Sequence, residues 1–292
     1  MDRYRQAFDQ AQLNRSLHPL VFPFLTAGFP TPAETNGLVA AALDGGAAGF
    51  EIGVPFSDPL ADGPTHQRAY TVALSNGATL DTALDAARHA RALKPDAPIT
   101  LMGYLNPFLA YGASSDAKSG EDLHESTGQA VGRPLESLAA AAADAGVDGI
   151  IVVDLPVDES DAARSVFADH GIDMIYLLAP TSTPARIAAV AERATGFIYL
   201  VSVTGVTGAR DQLAADLAQV AQRIHAVTDV PLGIGFGITN REHVEQVGEI
   251  AQAAIIGSAL TATIADAPAG GRETAVRQFL EVVTGRRRDE SA

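Results

Sequence analysis

Short apolar runs and helix-like segments alternate along almost the whole chain, and this alternation constrains the fold more than any other feature. Most of the eight apolar runs are followed closely by glycine, proline or aspartate, which interrupt strands. Segments of helical spacing separate them, and Thr183-Pro184 is a helix-start signal. The predicted strands cover residues 20–27, 48–54, 98–102, 148–153, 173–178, 197–202, 230–234 and 253–256.

Strands that are apolar along their whole length are typical of parallel sheets buried on both faces. Eight of them alternating with helices predict an α/β fold, a closed (β/α)8 TIM barrel, with residues 1–292 as one domain. The pattern adds an N-terminal helix over 2–16, a polar acidic insertion over 113–133 after strand 3, and a polar tail over 285–292. A doubly wound open sheet is the alternative, but the first unit lacks G-x-G-x-x-G.

The composition excludes several kinds of site. The chain has no cysteine, which excludes disulfides, thiol nucleophiles and cysteine metal ligands. Its seven histidines are scattered, with no H-x-H or H-E-x-x-H pair. We therefore expect no metal site.

The charge balance is strongly acidic. A formal net charge of -15 disfavours nucleic acid and anionic membranes as partners. No apolar run approaches the roughly 20 residues that cross a bilayer, and the N-terminus has no signal-peptide core, so we expect a cytoplasmic protein. Lys94 and Lys118 are the only lysines. This combination favours a halophilic, high-salt cytoplasm, and an acidic protein from a high-GC bacterium is the alternative.

Two carboxyl groups lie near the end of the second strand. Glu51 sits inside an apolar run, where an ionised carboxylate is costly unless it has partners or a function. Asp62 lies on the following loop, close enough to return over the strand end. One buried and one loop carboxyl at the same opening predict an acid–base pair. The alternative is a glutamate satisfied by backbone donors and an aspartate that only stabilises a turn.

Glycines after the last strands predict a phosphate site. Barrels of this class commonly bind phosphate with the loops after strands seven and eight. Glycine permits close backbone approach, and a helix N-terminus offers free N–H donors to an anion. The candidates are Gly235-Phe236-Gly237, Gly257-Ser258 and, after strand six, Thr207-Gly208.

The position of the lysines restricts the chemistry. Cleavage of aldolase type needs an electron sink, which in most barrels is a Schiff-base lysine or a metal. Lys94 ends a predicted helix and Lys118 lies in the polar insertion, so neither is at a strand end. Carbon–carbon cleavage would need an electron sink within the substrate, and two carboxylates could then suffice.

Six segments at the strand ends resemble the α subunit of tryptophan synthase, in order between about residues 20 and 262. They read FEIGVPFSDPLADGP, MGYLNPF, VVDLP, YLVSVTGVTGAR, GIGFGI and IIGSAL. The resemblance implies a lyase that cleaves indole-3-glycerol phosphate to indole and glyceraldehyde 3-phosphate. Protonated indole C3 would be the electron sink, and indole would pass to a β subunit for tryptophan synthesis.

The resemblance also implies roles for individual residues. Glu51 would protonate indole C3 and accept the glyceryl hydroxyl proton, and Asp62 would stabilise charge at the indole N–H. The substrate-binding residues would be Phe24, Met102, Ile151, Leu177, Tyr199, Thr207 and Phe236. The phosphate ligands would be Gly208, Gly235, Gly237, Gly257 and Ser258. For the apolar and aromatic members, a place in the ordinary core is the alternative.

The resemblance further implies a partner. Family members pair with a β subunit that carries pyridoxal phosphate, as an α2β2 heterotetramer, and this chain would need no cofactor. Asp58, Pro59, Asn106 and Pro107 would lie at the contact. His66 departs from the aliphatic residue usual in the family. We interpret it as a solvated helix residue, and a new polar contact near the barrel mouth is the alternative.

Other functions stay open at this point. The chain could be a catalytically weak barrel that activates a β subunit, or a free-standing lyase that releases indole. Another phosphate-binding barrel, such as indole-glycerol-phosphate synthase or an epimerase, is the enzymatic alternative. The former needs a strand-end lysine that this chain lacks.

Overall fold

The computed structural model describes residues 2–13, 19–119, 129–201, 210–235 and 237–287. Within these ranges, nine parallel strand segments form one sheet. Two segments flank the buried Ile175 and together make a single fifth strand. The strands are β1 (Leu20–Thr26), β2 (Phe50–Gly53), β3 (Ile99–Gly103), β4 (Gly149–Val152), β5 (Asp173–Met174 and Tyr176–Leu178), β6 (Ile198–Val201), β7 (Leu232–Gly235) and β8 (Ala253–Ile256).

The sheet closes on itself through β5. Its first segment pairs with β4, where Met174 lies opposite Ile150. Its second segment pairs with β6, where Tyr176 lies opposite Ile198. The other strands follow in the order β4-β3-β2-β1-β8-β7-β6. The predicted TIM barrel is therefore confirmed.

Helices connect the successive strands, and two short 3-10 helices, Pro32–Glu34 and Val157–Glu159, precede α2 and α7. No described helix is long and apolar enough to cross a membrane. The α-helices of the described ranges are α1 (Arg3–Leu13), α2 (Thr35–Asp44), α3 (Pro64–Ser75), α4 (Leu80–Leu93), α5 (Leu105–Ser119), α6 (Gln129–Asp144), α7 (Asp161–Asp169), α8 (Pro184–Arg193), α9 (Arg210–His225), α10 (Arg241–Gly248), α11 (Ser258–Asp266) and α12 (Arg272–Val283).

Strand side chains alternate between the helix layer and the barrel interior. In β2, Phe50 and Ile52 belong to the core between sheet and helices, so Glu51 between them points inward. The interior is filled by a separate cluster that includes Phe22, Ile151, Ile175, Phe197, Tyr199 and Ile255. Both faces are apolar, which explains why the strands appear in the sequence as uninterrupted apolar runs.

Helix α1 closes the N-terminal end of the barrel. Tyr4 and Phe8 are buried among the interior side chains, and the Tyr4 hydroxyl lies 2.6 Å from Thr100 Oγ1. Nearby, Asp148 accepts hydrogen bonds from the guanidinium groups of Arg3 and Arg91 at 2.7 and 2.5 Å. These contacts fill the N-terminal end of the barrel, and barrels of this class carry their sites at the carboxyl ends of the strands.

The segment over 113–133, predicted as a polar insertion, has a helix at each of its ends. Helix α5 continues to Ser119 and α6 begins at Gln129, while residues 120–128 lie outside the described residues. The two helices pack so closely that a Cβ on Gly112 would lie 2.0 Å from the Pro134 carbonyl oxygen. Packing of this kind stabilises helices whose serine and glycine content alone favours a loop.

Candidate active site

Glu51 lies in the middle of β2 and faces the barrel interior. It is 3% exposed, and among the described residues its Oε1 has no hydrogen-bond partner. Burial, and secondly the charge of Asp62, raise the pKa of Glu51 to about 8. Glu51 therefore holds a proton at neutral pH, which suits a general acid.

Asp62 lies on the loop between β2 and α3, and the loop is tied to the end of β3. The Tyr104 hydroxyl donates a hydrogen bond to Asp62 Oδ2, and the same hydroxyl accepts one from the Ala61 N–H at 3.1 Å. Gln67 Nε2 donates to the Asp62 carbonyl at 2.8 Å. Burial raises the pKa of Asp62, and the Tyr104 hydroxyl opposes this by stabilising the carboxylate.

The two carboxyl groups face the same space. The pKa of Tyr199 is raised by burial and then by the charges of Glu51 and Asp62. The pKa of Tyr70 is raised by burial and by both carboxyls as well. Tyr70 and Tyr199 therefore both lie close enough to the two carboxyl groups for ionisation of either carboxyl to affect their pKa values.

The apolar residues predicted to bind substrate divide into two groups. Phe24 and Met102 pack with Tyr104, whereas Tyr199 belongs to the interior cluster and Leu177 packs against it. Met102 and Leu177 are partly exposed. Ile151 is 0% exposed and belongs to the buried interior cluster. Phe236 and Thr207 lie outside the described residues.

The predicted phosphate residues gather at the ends of β7 and β8. Gly235 ends β7, and a Cβ there would lie 2.3 Å from the Tyr199 hydroxyl oxygen, so only glycine fits. Gly237 has a φ of 38°, which favours glycine. Gly257 is the N-cap of α11, no side chain caps that helix, and the N–H groups of its first turn begin at Ser258. Gly208 lies outside the described residues.

Known proteins are similar to this chain in sequence and in architecture. The chain matches the family model described as "Tryptophan synthase alpha chain" over residues 10–289. It is 40% identical over 287 residues to the tryptophan synthase alpha chain of Chloroflexus aurantiacus, a match that covers 97% of this chain and 99% of that one. The chain belongs to the tryptophan synthase alpha chain family.

Solved structures of the family agree with the fold. The tryptophan synthase subunit alpha of Legionella pneumophila str. Paris gives a TM-score of 0.82 at 32% identity, over 98% of both chains. A tryptophan synthase structure from Mycobacterium tuberculosis gives 0.80 at 31% identity, over 98% of each chain. The predicted family is therefore confirmed.

Family membership establishes the reaction. The protein is a carbon–carbon lyase, the α subunit that cleaves indole-3-glycerol phosphate to indole, and indole passes to the β subunit. The α subunit needs no cofactor of its own, because pyridoxal phosphate belongs to the β subunit. The alternatives of a synthase or epimerase barrel are wrong.

The residues predicted at the β-subunit contact lie on the entrance side of the barrel. Asp58 is exposed and Pro59 partly exposed on the loop after β2, and Asn106 and Pro107 begin α5. Leu60 directly follows Pro59 on the loop 56–62, which is predicted to lie at this contact, and its side chain is 92% exposed.

Two further site residues were missed or misread. Tyr104 was not predicted, although it follows β3 within the segment MGYLNPF, and it holds Asp62. The interpretation of His66 as a solvated helix residue is wrong. Its ring lies 4.7 Å from that of Phe24, centroid to centroid, and burial lowers its pKa to about 4. The packing of α3 against α11 places this side chain beside Phe24.

Acidic and histidine side chains do not converge on a metal in the part of the chain that the structure describes. No group of three or more potential ligands occurs there.

Proposed function

We propose that Glu51 is the acid–base catalyst of the cleavage and that Asp62 stabilises the positive charge of the protonated ring. The observation that carries this proposal is the burial of Glu51, whose pKa is raised by burial and by the charge of Asp62 and whose Oε1 has no partner among the described residues. In the first step, Glu51 donates its proton to indole C3, and the ring nitrogen takes up positive charge. Asp62, positioned by Tyr104, accepts a hydrogen bond from the ring N–H and lowers the energy of this cation.

In the second step, the Glu51 carboxylate takes the proton of the glyceryl hydroxyl next to the ring. The hydroxyl carbon becomes an aldehyde as its bond to indole C3 breaks. The electron pair of that bond returns to the ring and cancels the charge on nitrogen, so the ring itself is the electron sink. Neutral indole and glyceraldehyde 3-phosphate leave, and Glu51 again holds a proton.

The rest of the substrate is held by the groups around this pair. We assign the phosphate to the backbone N–H groups at the ends of β7 and β8 and at the start of α11, which is an anion-binding geometry. Its proposed ligands are Gly208, Gly235, Gly237, Gly257 and Ser258. The indole ring packs in the apolar pocket of Phe24, Met102, Leu177, Tyr199 and Phe236, above Ile151. On loop closure, Thr207 orders its loop against Asp62.

The test compares the full chain with Glu51→Gln and Asp62→Asn, each with and without a β subunit. Glutamine keeps the shape of a carboxylic acid but cannot donate the proton, so indole release should vanish while calorimetry still detects substrate binding. Asp62→Asn should lower turnover by at least about 100-fold. Glu245→Gln, at an exposed position on α10, is the matched control. Near-normal turnover in Glu51→Gln would refute the assignment.

The same assay separates the remaining functional alternatives. Indole release that rises strongly when β subunit is added supports a subunit working within a bienzyme complex. Full activity without β subunit would indicate a free-standing lyase. Stimulation of the β reaction without any indole release would indicate a weak barrel that only activates its partner.

We also propose an α2β2 assembly in which the loop of Asp58, Pro59 and Leu60, with Asn106 and Pro107, contacts the β subunit. The exposed Leu60 supports this assignment. Sedimentation of the mixed subunits should show the complex, and Leu60→Ser should weaken it.

We further propose that residues 1–292 form a single domain that works in the cytoplasm, at high ionic strength. The support is the charge: 35 acidic against 20 basic residues, for a formal net charge of -15. Self-repulsion of this size is tolerated best where salt screens it.

A further inference from the structure

His66 lies between Phe24, in the proposed indole pocket, and Gly257, at the proposed phosphate site. It is the third residue of α3, and its ring meets Phe24 edge-on at an interplanar angle of 74°. A Cβ placed on Gly257 would lie 2.9 Å from His66 Nε2, so this nitrogen sits directly beside the start of α11. The imidazole thus lies between the pocket for the indole ring and the backbone donors for the phosphate.

The other ring nitrogen faces a hydroxyl. His66 Nδ1 lies 3.5 Å from Oγ1 of Thr261, a buried residue in the first turn of α11. A neutral imidazole carries one proton, so if Thr261 donates to Nδ1, the proton is on Nε2 and points toward Gly257. Among the described residues, no hydrogen bond engages Nε2.

We propose that His66 is an additional phosphate-binding residue, whose Nε2–H donates a hydrogen bond to a phosphate oxygen of the substrate. The proposal rests on the phosphate position assigned above. The backbone N–H groups of α11 and the imidazole N–H then converge on the same anion from two elements. A hydrogen bond from a neutral donor to a charged oxygen is stronger than one between two neutral groups. It would add a side-chain contact to a phosphate site whose other proposed donors are mostly backbone N–H groups.

The experiment compares indole-3-glycerol phosphate with indole glycerol, which lacks the phosphate. His66→Leu keeps the volume and removes the donor, while His66→Gln places an amide N–H near the position of Nε2. For the phosphorylated substrate, we expect His66→Leu to lower kcat/KM by about 10- to 100-fold, mainly through KM. For indole glycerol the change should stay within about twofold, and His66→Gln should recover much of the loss. Equal losses with both substrates, or full activity in His66→Leu, would overturn the proposal.

A second measurement is independent of turnover. With 15N-labelled histidine, the Nε2 resonance of His66, assigned by its absence from His66→Leu, should shift as inorganic phosphate is added. A resonance that does not respond to phosphate would contradict the proposal. If the parent protein released no indole, the proposed catalytic roles would fail, whereas this titration would still report on His66.

Discussion

Replacing Glu51 by glutamine should stabilise the protein at alkaline pH, because the fold holds this carboxyl where ionisation is unfavourable. The pKa of Glu51 is about 8 in the native state against an ordinary value of 4.5. Between these pH values the folded protein keeps a proton that the unfolded chain has released. The free energy of unfolding therefore falls by about 1.4 kcal/mol per pH unit as pH rises.

The sign and size of the effect follow from the range between these two pKa values. Below pH 4.5 Glu51 is protonated in both the folded and the unfolded protein, so burying it carries no ionisation penalty. Above about pH 8 both are ionised and the penalty is complete, at roughly 5 kcal/mol from the difference in pKa. Glutamine cannot ionise, so the stability of the parent minus that of Glu51→Gln should become steadily more negative from about pH 5 to pH 8.

Urea unfolding followed by circular dichroism, at fixed ionic strength, measures this difference. Groups common to both proteins largely cancel when one unfolding free energy is subtracted from the other. The control is Glu245→Gln, whose exposed carboxyl pairs with Arg241 at the surface. Its stability relative to the parent should vary little over the same pH range. A flat difference for Glu51→Gln would refute the argument that burial sets the proton affinity of Glu51.

Three shorter predictions test other parts of the site. Tyr104→Phe removes the hydroxyl that donates to Asp62 and should lower kcat by about tenfold or more, whereas Tyr176→Phe, whose hydroxyl bonds Ser160, should leave kcat of indole release unchanged. Gly235→Ala places a Cβ 2.3 Å from the Tyr199 hydroxyl oxygen and should raise KM for indole-3-glycerol phosphate in steady-state kinetics; an unchanged KM would argue against the tight fit. The melting temperature should rise between about 0.1 and 1 M salt as the Debye length falls from about 10 to 3 Å, and a salt-independent value would contradict the high-salt proposal.

The sequence predicted the strands and the position of Glu51 within β2, because both depend on local pattern. Each strand appears as an apolar run, and Glu51 is the one acidic residue within the run of β2. The sequence does not show which side chains of a strand face the helices and which face the barrel interior. Phe50 and Ile52 face the helices, and Phe24 on the adjacent strand belongs to a different cluster, yet all three are apolar. Where both faces of a sheet are apolar, polarity cannot distinguish one face from the other.

The features that sequence reasoning missed all depend on distant parts of the chain. The Tyr104–Asp62 hydrogen bond joins loops that are 42 residues apart. His66 stands beside exposed Gln67 and Arg68, and only the packing of α3 against α11 turns it inward. The helical ends of the predicted insertion depend on the approach of Gly112 to Pro134. Composition and local propensity contain none of these contacts.

The proton affinity of Glu51 is linked to the position of the loop that carries Asp62. Burial is the larger cause of the raised pKa, and the charge of Asp62 is the second. Glu51 is buried because it lies on a strand of the barrel. Asp62 instead lies on a loop, and its carboxylate accepts a hydrogen bond from the Tyr104 hydroxyl. Displacing the loop removes the nearby negative charge, so the pKa of Glu51 falls and the acid releases its proton more readily. Under the roles proposed above, the loop position that brings Asp62 to the indole ring therefore also favours the protonated form of Glu51.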